Sequence, residues 1–176
     1  MGTNFNVIEV TQKIEKILDQ LAKTDYADNI GNGKWTAYIL EKLRILGHEC
    51  GLQVCPDYDN NNRAWLYDMT WYKNNNEGFL VDVPFVVESE WKYNDVQYDF
   101  EKLVQSNAKL KLMICCFNSK KGRYEELQKY FSDAINAFTD HAKGSKYMIA
   151  ILQDWTPFEF HYSYYDLSSQ KNLQNE

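Results

Sequence analysis

The stretch Phe79–Lys92, FLVDVPFVVESEWK, alternates as a long β-strand does, and its two faces carry different chemistry. Val81, Val83, Phe85, Val87 and Trp91 share one parity and are expected to be buried. The other parity runs Asp82, Pro84, Val86 and then turns ionic at Glu88, Glu90 and Lys92. Glu90 and Lys92, two apart, project from the same face as neighbours. Two readings fit this pair. One is a solvated strand end whose opposite charges contribute under about 1 kcal/mol. The other is a metal site, with the carboxylate on a divalent cation and the lysine serving a phosphate or a water.

Working outward, Asn74–Gly78 (NNNEG) has the length and composition of a hairpin connection. The segment before it, Arg63–Lys73 (RAWLYDMTWYK), is rich in aromatic and branched residues and is expected to be the antiparallel partner. Asp68 falls in its middle, among Trp65, Leu66, Tyr67, Met69, Trp71 and Tyr72. A carboxylate there is costly unless it is paired, protonated or metal-bound. The alternative is an outward-facing Asp, but its parity mates Ala64, Leu66 and Thr70 make no strongly polar face. Counted symmetrically from the turn, Asp68 lies near Glu88 and Glu90. Carboxylates on adjacent strands repel unless a cation separates them, and Mg²⁺ takes one or two carboxylates together with phosphate oxygens and water.

The remaining pattern predicts helices over Val7–Lys23, Lys34–His48, Tyr98–Ala108 and Arg123–His141, with Gly47 ending the second and Asp99 capping the third. Short or buried strands are expected at Leu52–Cys55, Lys111–Phe117, Tyr147–Leu152 and Phe158–Tyr164. The first three strands suit a meander and the later ones suit crossovers. The expected fold is therefore α/β (mixed α+β), a central mixed sheet with a β-meander flanked by helices.

At 176 residues the chain is expected to form one domain, residues 1–176. It contains no run of about 18 apolar residues, and its start lacks the basic and apolar regions of a signal peptide. No membrane association and a cytoplasmic location are the expectation. The four cysteines, Cys50, Cys55, Cys115 and Cys116, are then reduced thiols, and His48, Cys50 and Cys55 match no standard zinc spacing. A net charge of −6 argues against coating nucleic acid nonspecifically, but leaves room for a local basic groove. The nearest approach to one is Lys109, Lys111, Lys120, Lys121 and Arg123, which an ordinary solvated loop would also explain.

Asp68, a hairpin and then Glu90-Trp91-Lys92 resemble the signature of the PD-(D/E)XK nuclease superfamily, the restriction-endonuclease-like fold. That pattern is a helix, a three-strand meander carrying Asp and then Glu-X-Lys, a helix and a further strand. It would span a core of about residues 34–117, with the rest peripheral. No proline precedes Asp68, where Tyr67 stands. The resemblance implies a nuclease dependent on Mg²⁺ or Mn²⁺ that hydrolyses phosphodiester bonds of DNA, or of RNA. Asp68 and Glu90 would hold the metal, with the Trp91 backbone carbonyl as a third ligand and Glu41 on the first core helix as a further one. Lys92 would assist the attacking water and the phosphate charge. The alternative is a nuclease-fold domain that no longer cleaves and binds a protein partner or a second copy through Trp65, Trp71, Tyr162, Tyr164 and Tyr165. A Cys50–His48 enzyme is the third option, with no orienting partner evident.

Overall fold

The computed structural model describes residues 5–23, 32–57, 65–117, 124–153 and 158–167. Two helices lead, α1 (Val7–Ala22) and α2 (Asn32–Glu49), followed by the meander β1 (Gln53–Cys55), β2 (Met69–Asn74) and β3 (Leu80–Glu90). Then come α3 (Val96–Val104), β4 (Leu110–Phe117), α4 (Tyr124–Ala137), β5 (Lys146–Gln153) and β6 (Phe160–Asp166). This is the order that the periodicities predict. The strands form one six-stranded sheet in the spatial order β1 to β6. β1, β2 and β3 pair antiparallel, β3, β4 and β5 pair parallel, and β6 returns antiparallel. Each parallel step uses a helix as its crossover, which short connections cannot supply.

Helices cover both faces. Ile14 and Leu18 of α1, with Ile39 and Leu43 of α2, pack against Trp71, Phe85, Val87, Leu112 and Met148. On the opposite face Phe100 and Leu103 of α3 and Phe131 of α4 pack against Val86, Met113, Tyr147 and Ile149. A sheet sandwiched in this way buries both parities of its central strands. That corrects the one-sided burial expected for β3. Pro84, Val86 and Glu88 are buried along with Phe85 and Val87, whereas Phe79, Leu80 and Val81, at the start of the strand, are exposed.

Three other expectations change. Gly47 lies inside α2, where an added Cβ would sit 2.7 Å from Val54 and 2.9 Å from the Trp71 indole. The helix runs to Glu49 and is closed by Gly51 instead, which has φ 70°. Its N–H reaches the His48 carbonyl at 2.8 Å and the Leu52 N–H reaches that of Gly47 at 3.1 Å, a Schellman closure. Trp71, expected on an aromatic surface, is fully buried because Gly47 makes room for it. Asp95 rather than Asp99 is the N-cap residue of α3, and its side chain makes no capping hydrogen bond. No helix among the described residues is long and apolar enough to cross a membrane.

Candidate functional site

Strand β2 begins at Met69, so Asp68 stands immediately before it rather than in mid-strand. The pairing Met69↔Val87 fixes what Asp68 faces. One residue further out, Asp68 comes opposite Glu88, on the face of the sheet that α3 covers. Its Oδ2 accepts the Ser89 N–H at 2.8 Å, which ties the end of β2 to β3. Burial holds the Asp68 carboxyl above its ordinary range, against the pull of the Ser89 N–H.

Glu88 is the most deeply placed acid of the region, with its side chain 2% exposed. Lys102, one helix away on α3, brings Nζ to 2.7 Å from Glu88 Oε1 and to 2.8 Å from Asp99 Oδ1. Burial raises Glu88 to about 7, Lys102 pulls it back, and the nearby Asp68 pushes it up again. For Lys102 burial works downward, but Asp99 and Glu88 together lift the ammonium above the usual lysine range. The Tyr67 hydroxyl donates to the Lys102 carbonyl at 3.4 Å and closes the back of the cluster. Three carboxylates, Asp68, Glu88 and Asp99, thus act on one ammonium.

The residues that the sequence singles out spread around this cluster. Glu90 is half-buried at the last position of β3, and its Oε1 accepts the Lys92 N–H at 2.6 Å. The Lys92 side chain is 78% exposed, with Nζ 3.9 Å from Asp95. Trp91 points to the other side of the sheet, where its indole N–H donates to Thr36 of α2 at 2.7 Å. Glu41 lies on the exposed face of α2 and is taken up by Arg44, whose Nε stands 2.9 Å away. The structure therefore brings Asp68 beside Glu88 and leaves Lys92 and Glu41 outside.

Counting from the NNNEG turn places Glu88 near Asp68 in the sequence, but nothing there marks it as the buried acid of the group. Lys102 and Asp99 carry a local signal as an i,i+3 pair, but nothing nearby in sequence ties them to Glu88. Lys111, expected among the groove cations, is fully buried on β4, while Lys120, Lys121 and Arg123 lie outside the described residues.

Among the described residues no group of three or more His, Cys, Asp or Glu side chains is placed to hold a metal. Asp68 and Glu88 still fit a hard cation. They face each other across two strands, and their cluster sets three carboxylates against one ammonium. Two protein carboxylates are what Mg²⁺ commonly takes, with waters and phosphate oxygens completing its shell. Compared with protein-family models, curated proteins and solved structures, the chain matches none.

Proposed function

We propose that this chain is a divalent-metal-dependent phosphodiester hydrolase of the nuclease type, acting on DNA or RNA. Mg²⁺ or Mn²⁺ is held by Asp68 and Glu88, while the Glu90 carboxylate two residues on takes the Lys92 N–H. The observation that carries the reading is the pairing of two desolvated carboxylates across antiparallel strands, where burial raises both from their ordinary range. The order of elements supports a restriction-endonuclease-like core. Helix α2 precedes the meander that delivers Asp68 and the Glu88–Lys92 segment, and α3 then leads to β4 alongside β3.

When bound, the cation supplies an acidified water and neutralises charge that builds on the phosphate oxygens. The protein supplies position. Ser89 N–H fixes the orientation of Asp68, and the β2–β3 pairing sets Glu88 against it. The buried surroundings strengthen every charge interaction in the cluster. The exposed Lys92 ammonium, at the strand exit, meets the phosphate backbone of the substrate as a mobile point charge. In the reaction a water oxygen gives up a proton and bonds to phosphorus, the phosphorus–oxygen ester bond breaks, and the departing oxygen takes up a proton in its turn.

A second reading, a nuclease-like domain that binds a protein without cleaving, draws on the exposed Phe79, Leu80 and Val81 at the hairpin. Single- and double-stranded DNA and RNA offered with Mn²⁺ or Mg²⁺ separate the two, beside Asp68→Asn and Glu88→Gln controls. Metal-dependent cleavage is expected, with each substitution lowering the rate on the order of a hundredfold or more. Cleavage that survives Asp68→Asn would refute the site. A protein that neither cuts nor takes up Mn²⁺ in a calorimetric titration leaves the binding reading in front.

A further inference from the structure

We propose that Lys102 is the resident counter-ion of the Asp68–Glu88 pair, competing with the divalent cation for Glu88 and serving the phosphate once displaced. The inference rests on the metal reading above. Its ground is geometric. Lys102 Nζ lies 2.7 Å from Glu88 Oε1 and 2.8 Å from Asp99 Oδ1, so one ammonium straddles a buried acid and a more exposed one. The Glu88 side chain is 2% exposed, against 22% for Lys102 and 17% for Asp99. The lysine therefore sits between the buried carboxylate and the surface.

Its two contacts are of nearly equal length but join different elements. Glu88 belongs to β3, so that side of the bridge spans from α3 to the sheet and can part without disturbing the helix. Asp99 lies on the same helix at i,i+3 and moves with the lysine. A cation that takes Glu88 leaves Lys102 anchored on Asp99 at the mouth of the site. Three rotatable donors on a single stem suit it to follow a phosphate there. Lys92, the lysine expected from the sequence, lacks this placement, because it is 78% exposed and, among the described residues, its ion pair is a 3.9 Å approach to Asp95.

Titration calorimetry with Mn²⁺ alone tests the competition, with cleavage as a second readout. Lys102→Met is expected to tighten Mn²⁺ on the order of tenfold, since a neighbouring positive charge is gone. The same variant should cleave on the order of a hundredfold more slowly. Lys102→Arg keeps the charge and grips both carboxylates with a planar fork, so it should bind Mn²⁺ more weakly than the wild type. The expected order of affinity is Met, Lys, Arg. A lysine that merely braces α3 against β3 changes stability without that order, so equal Mn²⁺ affinity in all three proteins would overturn the role of Lys102 alone. If Lys102→Met does not fold, an Arg variant that matches or exceeds the wild type in Mn²⁺ affinity overturns it equally. No saturable Mn²⁺ heat in any of the proteins overturns the metal reading itself.

Discussion

Lys102 and Lys111 rise from successive elements on the same side of the sheet, and their surroundings have opposite effects. Lys102 is pinned by Glu88 and Asp99, which outweigh its burial and keep it firmly charged. Lys111, wholly buried on β4, has no acid among its hydrogen-bond partners. Its Nζ reaches the Val104 carbonyl at the end of α3 at 3.3 Å and the Tyr147 hydroxyl at 3.0 Å, and stands 4.6 Å above the Tyr147 ring. Tyr147 in turn meets His141 Nδ1 at 3.0 Å. A helix C-terminus and a phenol ring both favour a cation, but weakly compared with a carboxylate. Burial accordingly brings Lys111 down to about 8. Depth alone therefore does not tell a lysine placed for chemistry from one placed to cap a helix. The acids around it do.

The largest expected effect tests the Lys111 half of this contrast. A lysine at about 8 in the folded chain and about 10.4 when unfolded disfavours folding at neutral pH by about 3 kcal/mol. Between those values the unfolded chain holds the proton and the folded chain does not, so stability rises with pH. In urea unfolding at pH 7 to 10, wild type should gain on Lys111→Met by up to about 3 kcal/mol across that window. A stability difference that stays flat with pH would show that the charge of Lys111 is already compensated.

Glu88 has the opposite sign. Its folded value, about 7, lies above the ordinary 4.5, so the folded chain binds the extra proton between them. The stabilisation is complete below the unfolded value and is lost as pH rises through 7. Relative to Glu88→Gln, wild type should lose on the order of 2 kcal/mol between pH 5 and pH 8 in the same measurement. Asp68 is raised as well and its loss runs in the same direction, which is why the glutamine variant rather than wild type alone isolates Glu88.

These two groups also mark how far the sequence could be read. The apolar run Leu110–Phe117 announces a buried strand because nothing polar but Lys111 interrupts it, and the NNNEG turn sets Asp68 against Glu88 by simple counting. What local pattern could not carry is the closure of the second face. Glu88 on β3 and Lys111 on β4 both point to that face, polar in sequence, and they are buried only because α3 folds across them between β3 and β4. The helix itself is legible over Tyr98–Ala108, but no local pattern says that it packs across this face. Gly47 illustrates the same limit. In the sequence it looks like a helix terminator, but the structure uses its missing side chain to admit Trp71, which is 24 residues away.

The smallest expected effect sharpens the contrast between lysines from the outside. Lys92 is 78% exposed and its only described ion pair is a 3.9 Å approach to Asp95, so Lys92→Ala should change stability by no more than about 0.5 kcal/mol. Mn²⁺ affinity should likewise be unaltered, because Glu90 takes the Lys92 backbone N–H and not its ammonium. On a nucleic-acid substrate the variant should raise KM a few-fold and leave kcat near the wild-type value, the pattern of a lost phosphate contact that is equal in ground and transition states. A collapse of kcat with KM unchanged would mean that Lys92 swings in to the reacting phosphate when substrate binds. The segment after β3 would then close over the carboxylates, and the decisive comparison would pass from Lys102 and Lys111 to Lys92 and Lys102.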